Sequence, residues 1–148
     1  MRFAEAIGRK IVSTATATTV GKVSGFVVDP AVSSVVALQV KAHSGEVLRW
    51  SDLTAFGADA VTVSTQNKVT AATDDISRLS AKEYRIIGKL VLTVRGDKLG
   101  HAADVIFDEQ TGRVSALALS DGNSLSCRIV GIGSYAVVVE PESEEGSP

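Results

Sequence analysis

The chain has 148 residues, 45% of them apolar but only 5% aromatic, and a formal charge of −2. That composition supplies a β-branched core, without the basic excess of a nucleic-acid binder or the aromatic density of a base-stacking platform. Two histidines and one cysteine exclude an internal disulfide and form no ligand set at recognised zinc spacing. No apolar stretch approaches the roughly 20 residues that span a bilayer as a helix. The early charges of Arg2, Glu5, Arg9 and Lys10 leave no apolar segment for a secretory signal. A soluble, cytoplasmic protein is expected.

In chain order, the alternation of apolar residues predicts a first strand at Lys10 to Ser13 and a second at Lys22 to Val28, after a turn closed by Gly21. Gly21 is read as a glycine held at positive φ. Asp29-Pro30 signals a hairpin turn, since an aspartate there accepts backbone hydrogen bonds. The third strand, Val35 to Lys41, alternates so that Val36, Leu38 and Val40 share one face. His43 falls in a loop, Ala42-His43-Ser44-Gly45, as a solvated turn residue. A fourth strand at Glu46 to Trp50, a short turn and a last strand at Ala60 to Val63 complete a unit over residues 1–63. Residues 64–86 are polar and read as a linker in which only Ile76-Ser77-Arg78-Leu79 hints at a helical turn.

The same order of signals returns over residues 87–140. Ile87-Gly88-Lys89 repeats Ile7-Gly8-Arg9 at an offset of 80, and Gly100 and Asp108 repeat Gly21 and Asp29 at 79. Val114 to Leu119 repeats Val35 to Val40 at 79, and Gly133 with Ala136 to Val139 repeats Gly57 with Ala60 to Val63 at 76. An offset that drifts only between strands is the mark of loop-length change in an internal repeat. Within this second unit, strands are expected at Leu90 to Thr93, His101 to Phe107, Val114 to Ser120, Ser124 to Arg128 and Ala136 to Glu140, with Gly112 taking the left-handed position of the Asp108 turn. Four of the 17 acidic residues are Glu140, Glu142, Glu144 and Glu145, which leaves 13 acidic against 15 basic residues before them. Residues 141–148 accordingly read as a disordered acidic tail.

Units of about 60 residues are marginal alone, so packing of the two copies on each other is expected. Five or six short strands per unit favour closure, which removes exposed sheet edges. The expected architecture is all-β: two small barrels in tandem, packed as a pseudo-symmetric pair.

The ordered motifs Ile7-Gly8-Arg9, Val20-Gly21-Lys22-Val23, Val27-Val28-Asp29 and Val36-Ala37-Leu38, with their second-unit counterparts from Ile87 to Leu117, resemble those of the PRC-barrel family. The resemblance covers nearly all of both units. The family usually carries a proline after the fourth strand, where this chain has Arg49-Trp50-Ser51-Asp52-Leu53 and Ser126-Cys127-Arg128-Ile129-Val130. The resemblance implies small adaptor barrels that contact proteins or RNA, with no shared catalytic residues; no cofactor is expected.

The residues themselves offer no catalytic or metal constellation. Cys127 beside Arg128 reads as a packing residue more readily than as an activated thiol. His101 and Asp104, three apart on a strand, fall on opposite faces. Gly131-Ile132-Gly133 lacks the helix and Lys-Ser/Thr pair of a phosphate loop. Arg49-Trp50 is the candidate contact pair, because Trp50 has no aromatic counterpart in the second unit and interface hot spots favour Trp and Arg. The competing role for Trp50 is to fill the groove between the units. Gly8, Gly21, Asp29, Gly88, Gly100, Asp108 and Gly112 are assigned to turns. The expected function is a non-enzymatic protein-binding adaptor or scaffold, with self-association into a homodimer open; the alternative is an RNA- or ribosome-associated module.

Overall fold

A computed structural model describes residues 1–41 and 46–142. The assignment of His43 to a turn and that of residues 143–148 to a disordered tail lie outside the described residues. Pro141 and Glu142 do not belong to a tail: Pro141 ends the last strand, and the Glu142 N–H donates to the Ser126 carbonyl at 2.9 Å.

A short helix, α1 (Phe3–Ala6), precedes β1 (Lys10–Ser13), β2 (Thr18–Asp29), β3 (Ser34–Val40), β4 (Glu46–Arg49), β5 (Ala55–Phe56) and β6 (Ala60–Val63). The second unit comprises β8 (Leu90–Thr93), β9 (Lys98–Phe107), β10 (Val114–Leu119), β11 (Ser124–Ile132) and β12 (Ala136–Pro141). In both units the first strand lies antiparallel to the second and parallel to the last, with Ile11 opposite Val61 and Val91 opposite Val137. The two units therefore share strand directions as well as sequence order.

They differ in closure. The second unit is a closed five-stranded barrel, whereas the first is an open sheet in the order β5-β6-β1-β2-β3-β4-β7, its last strand β7 (Val69–Ala71) coming from the segment between the units. The cause is local. β11 is long and bulged between Ile129 and Gly131, so its first half pairs with β10 and its second half with β12. In the first unit the same path is split into β4 and β5 by the 3-10 turn Trp50–Asp52. Ala37 pairs with Arg49 and Ala116 with Ser126, which sets Arg49 against Ser126 at an offset of 77, so of the three extra residues between β3 and β6 one lies in this segment. The turn, with that added residue, breaks the ladder that would have closed a first barrel.

Residues 64–86 do more than link. β7 (Val69–Ala71) adds to the free side of β4, and α2 (Asp74–Leu79) lays Ile76 against Val27, Ala37 and Val47. Consequently β3 is covered on both faces: Val35, Leu38 and Val40 join the main core, while Ala37 and the half-buried Val36 face α2. The expected grouping of Val36 with Leu38 and Val40 fails because Val36 is itself the extra residue of a bulge between Ala37 and Val35, which shifts the alternation.

Turn assignments resolve individually. Gly8, Gly88, Gly100 and Gly112 have positive φ, but Gly21 lies within β2 opposite Ile11 and is not among the positive-φ residues. The left-handed position of the first hairpin belongs to Ala17 (φ 57°), matched by Gly96 (φ 90°) in the second unit. Asp29 Oδ1 accepts the Ala31 N–H, and Asp108 Oδ1 accepts those of Gln110 and Thr111.

The units share one core and a polar seam. Val35 N–H donates to the Gly112 carbonyl and Val114 N–H to the Ser33 carbonyl, at 2.7 and 2.9 Å. Ser33 is 3% exposed with φ 50°, and its Oγ accepts the Ile129 N–H at 2.9 Å. A first-unit hydroxyl thus satisfies a backbone donor in the wall of the second barrel. Ser33→Ala is expected to cost about 1 to 3 kcal/mol in urea unfolding, the usual penalty for an orphaned buried donor; a loss below about 0.5 kcal/mol would show that water replaces the hydroxyl.

Candidate binding surfaces

Aromatic residues are few, yet all four phenylalanines and the tryptophan form one connected cluster. Phe107 is its hub: its ring centroid lies 5.6 Å from Phe3, 5.4 Å from Phe26, 6.0 Å from Trp50 and 5.6 Å from Phe56. Phe107 comes from the second unit and the other four from the first. Trp50 stacks on Phe56 at 5.7 Å and lies against Gly112 of the second unit. It is half-buried between the units, so its placement favours packing over contact with a partner. Arg49 points elsewhere, donating to Thr73 Oγ1 and Asp75 at the start of α2. The Thr73 hydroxyl in turn holds the Asp75 carboxyl below its usual range. The structure does not bring Arg49 and Trp50 together into one surface.

Cys127 is 1% exposed and faces the barrel interior, where burial, assisted by the charge of Glu142, pushes its thiol up to about 11. Arg128 points to the opposite side and pairs with Glu140 at 2.8 Å. The pair therefore does not generate a thiolate nucleophile. His101 is exposed and Asp104 is buried; the expected opposite faces do not hold, because a bulge between Ala102 and Asp104 shifts the alternation of β9, and Asp104 is instead set apart by accepting the Ala4 N–H of α1. No group of three metal-ligating side chains occurs among the described residues, and no helix among them is long and apolar enough to cross a membrane.

The outer face of the second barrel carries a feature that residue-type inventories missed. Val137 and Val139 fill the interior, so Val138 points outward, beside Leu92 on the parallel neighbour. Leu92, Val138 and Tyr135 line a shallow depression in which Gly131 and Gly133 leave open space. Tyr135 is 75% exposed, and adjoining Val130 is 41% exposed. At the corresponding positions the first unit has Val12 for Leu92, Thr62 for Val138, Asp59 for Tyr135, Ala55 for Gly131 and Thr54 for Val130. Those pairs were visible in the repeat register, had outward-facing positions been compared instead of the framework.

Residues 83–142 match the family model of the PRC-barrel domain. The matched segment contains all five strands of the closed barrel. The second unit belongs to the PRC-barrel family. A search of curated proteins finds no match. Within this PRC-barrel the turn glycines Gly88, Gly100 and Gly112 are framework, whereas Tyr135, Val138 and Gly131 lie on a surface where the two units differ.

Proposed function

We propose that the chain acts by binding rather than by catalysis, as a protein-binding adaptor whose contact surface is the outer face of the PRC-barrel around Tyr135 and Val138. The first unit enters this reading as a diverged second copy of the same module. The observation that carries the proposal is the contrast between equivalent positions. A fold built twice tolerates Thr62, Asp59 and Ala55 at these places, so Val138, Tyr135 and Gly131 are not required by the strand framework. Exposed apolar side chains beside an open depression mark an interaction site when folding does not demand them. A tyrosine at the rim suits such a role, since it gives a rigid apolar face and a hydroxyl able to stay wet.

The test transplants the first unit's residues onto the second. Gly131→Ala, Tyr135→Asp and Val138→Thr together install side chains that the same fold already accepts, so circular dichroism should be unchanged. Affinity recovery followed by mass spectrometry, and sedimentation velocity on the purified chain, then compare this triple variant with the wild type. Loss of about tenfold or more in recovery of a specific partner, or of a wild-type dimer, is expected from removing a hot-spot residue. Identical partners and identical sedimentation would overturn the assignment of this face.

A further inference from the structure

A cleft of about 420 Å³ lies where the two units meet, well within the range of small-molecule sites. The half-buried rings of Phe3 and Phe26, stacked at 4.0 Å, form part of its lining. Ile7 and Ile87, repeat counterparts that are 46% and 49% exposed, also border it. Its buried polar group is Asp104, only 8% exposed. Asp104 Oδ1 accepts the Ala4 N–H at 3.2 Å and the Val105 N–H at 2.8 Å. Oδ2 has no hydrogen-bond partner among the described residues. No buried, unpaired side-chain oxygen occurs among them either, so Oδ2 opens onto the cleft.

The repeat shows that this carboxylate is not part of the framework. The counterpart of Asp104 is Gly25, which borders the same cleft. Gln39 Oε1 lies where a side chain at residue 25 would begin. One copy thus presents a charge at this position and the other an amide. Capping Ala4 accounts for one oxygen of Asp104 and leaves the second unused. A carboxylate oxygen held in an apolar, aromatic cleft favours a ligand that brings a positive charge and hydrogen-bond donors. Arg85 also borders the cleft but is exposed, so its opposing charge is screened by water and salt more than that of the largely buried Asp104.

We propose that this cleft binds a small amphipathic amine, its ammonium on Asp104 Oδ2 and its apolar body against Phe3, Phe26, Ile7 and Ile87. The site is separate from the outer face of the PRC-barrel and stands or falls independently of it. Titration of the full chain with 2-phenylethylamine, 2-phenylethanol and 3-phenylpropionate, followed by amide chemical shifts, distinguishes charge from bulk. The amine should perturb the Ala4 and Val105 amides and bind about tenfold or more tightly than the alcohol, with the carboxylate weakest. Asp104→Asn keeps an acceptor for the Ala4 N–H, and should hold the fold while binding amine and alcohol alike. Equal binding of amine and alcohol by the wild type, preference for the carboxylate, persistence of the amine preference in Asp104→Asn, or no perturbation by any probe would each overturn the proposal.

Discussion

Phe107→Ala is expected to destabilise the protein by about 3 to 5 kcal/mol, the range for truncating a large buried aromatic. Phe107 is 1% exposed and meets four rings of the first unit, which leaves few directions in which the site can collapse. A total stability of about 5 to 15 kcal/mol makes this a large share, so the urea midpoint should fall steeply. Ile129→Val, inside the second barrel and away from the ring cluster, should cost only about 0.5 to 1.5 kcal/mol. Tryptophan fluorescence separates the local from the global effect, because Trp50 lies in edge contact with Phe107. A phenylalanine truncation no more costly than the Ile129 control would show that the rings do not couple the units.

Gly112→Ala should be the costliest glycine substitution, and Gly122→Ala its measure. Both residues have positive φ, 80° and 96°, so an alanine at either incurs a left-handed penalty of about 1 to 2 kcal/mol. Gly122 has open space around a new methyl, and that penalty is its whole cost. At Gly112 the methyl would fall 2.9 Å from the Val35 carbonyl oxygen and 3.0 Å from the Trp50 ring. Relieving the clash means separating the Val35 to Gly112 hydrogen bond or moving a half-buried indole. The difference between the variants is expected to reach about 1 to 3 kcal/mol, the usual cost of overpacking, read as a difference in urea midpoints. Equal losses would mean that the seam yields freely there.

Legibility in the sequence followed the physics of each signal. Strand positions and directions were readable because alternation and turn residues are local: β1, β6 and β8 fall on their expected residues. Closure was not readable, because it depends on where the β4 to β5 path loses its ladder. The offset change shows three extra residues between β3 and β6, but offsets do not say which of them interrupts the strand or that Trp50 would turn there. β7 escaped notice because Val69-Thr70-Ala71 is too short and too polar to show alternation, and it exists only because β4 has a free side. Gly21 was assigned to a turn because glycine serves close packing and positive φ alike. At the candidate surfaces, Trp50 drew attention by rarity, although a rare large side chain more often closes a core. Asp104 and Tyr135 became conspicuous only against their counterparts Gly25 and Asp59.

The amino terminus itself joins the second unit. Met1 donates through its backbone amine to the Phe107 carbonyl and accepts from the Phe107 N–H, across a sequence separation of 106. During synthesis the first unit is expected to wait: until residue 107 has left the ribosome, the Phe3–Phe26 and Trp50–Phe56 pairs lack the ring that bridges them. Closing so large a loop imposes an entropic delay before its contacts repay it. Nascent chains stalled before and after Phe107 should differ in protease resistance even over residues made much earlier, which makes the first half of this protein a late product of its second.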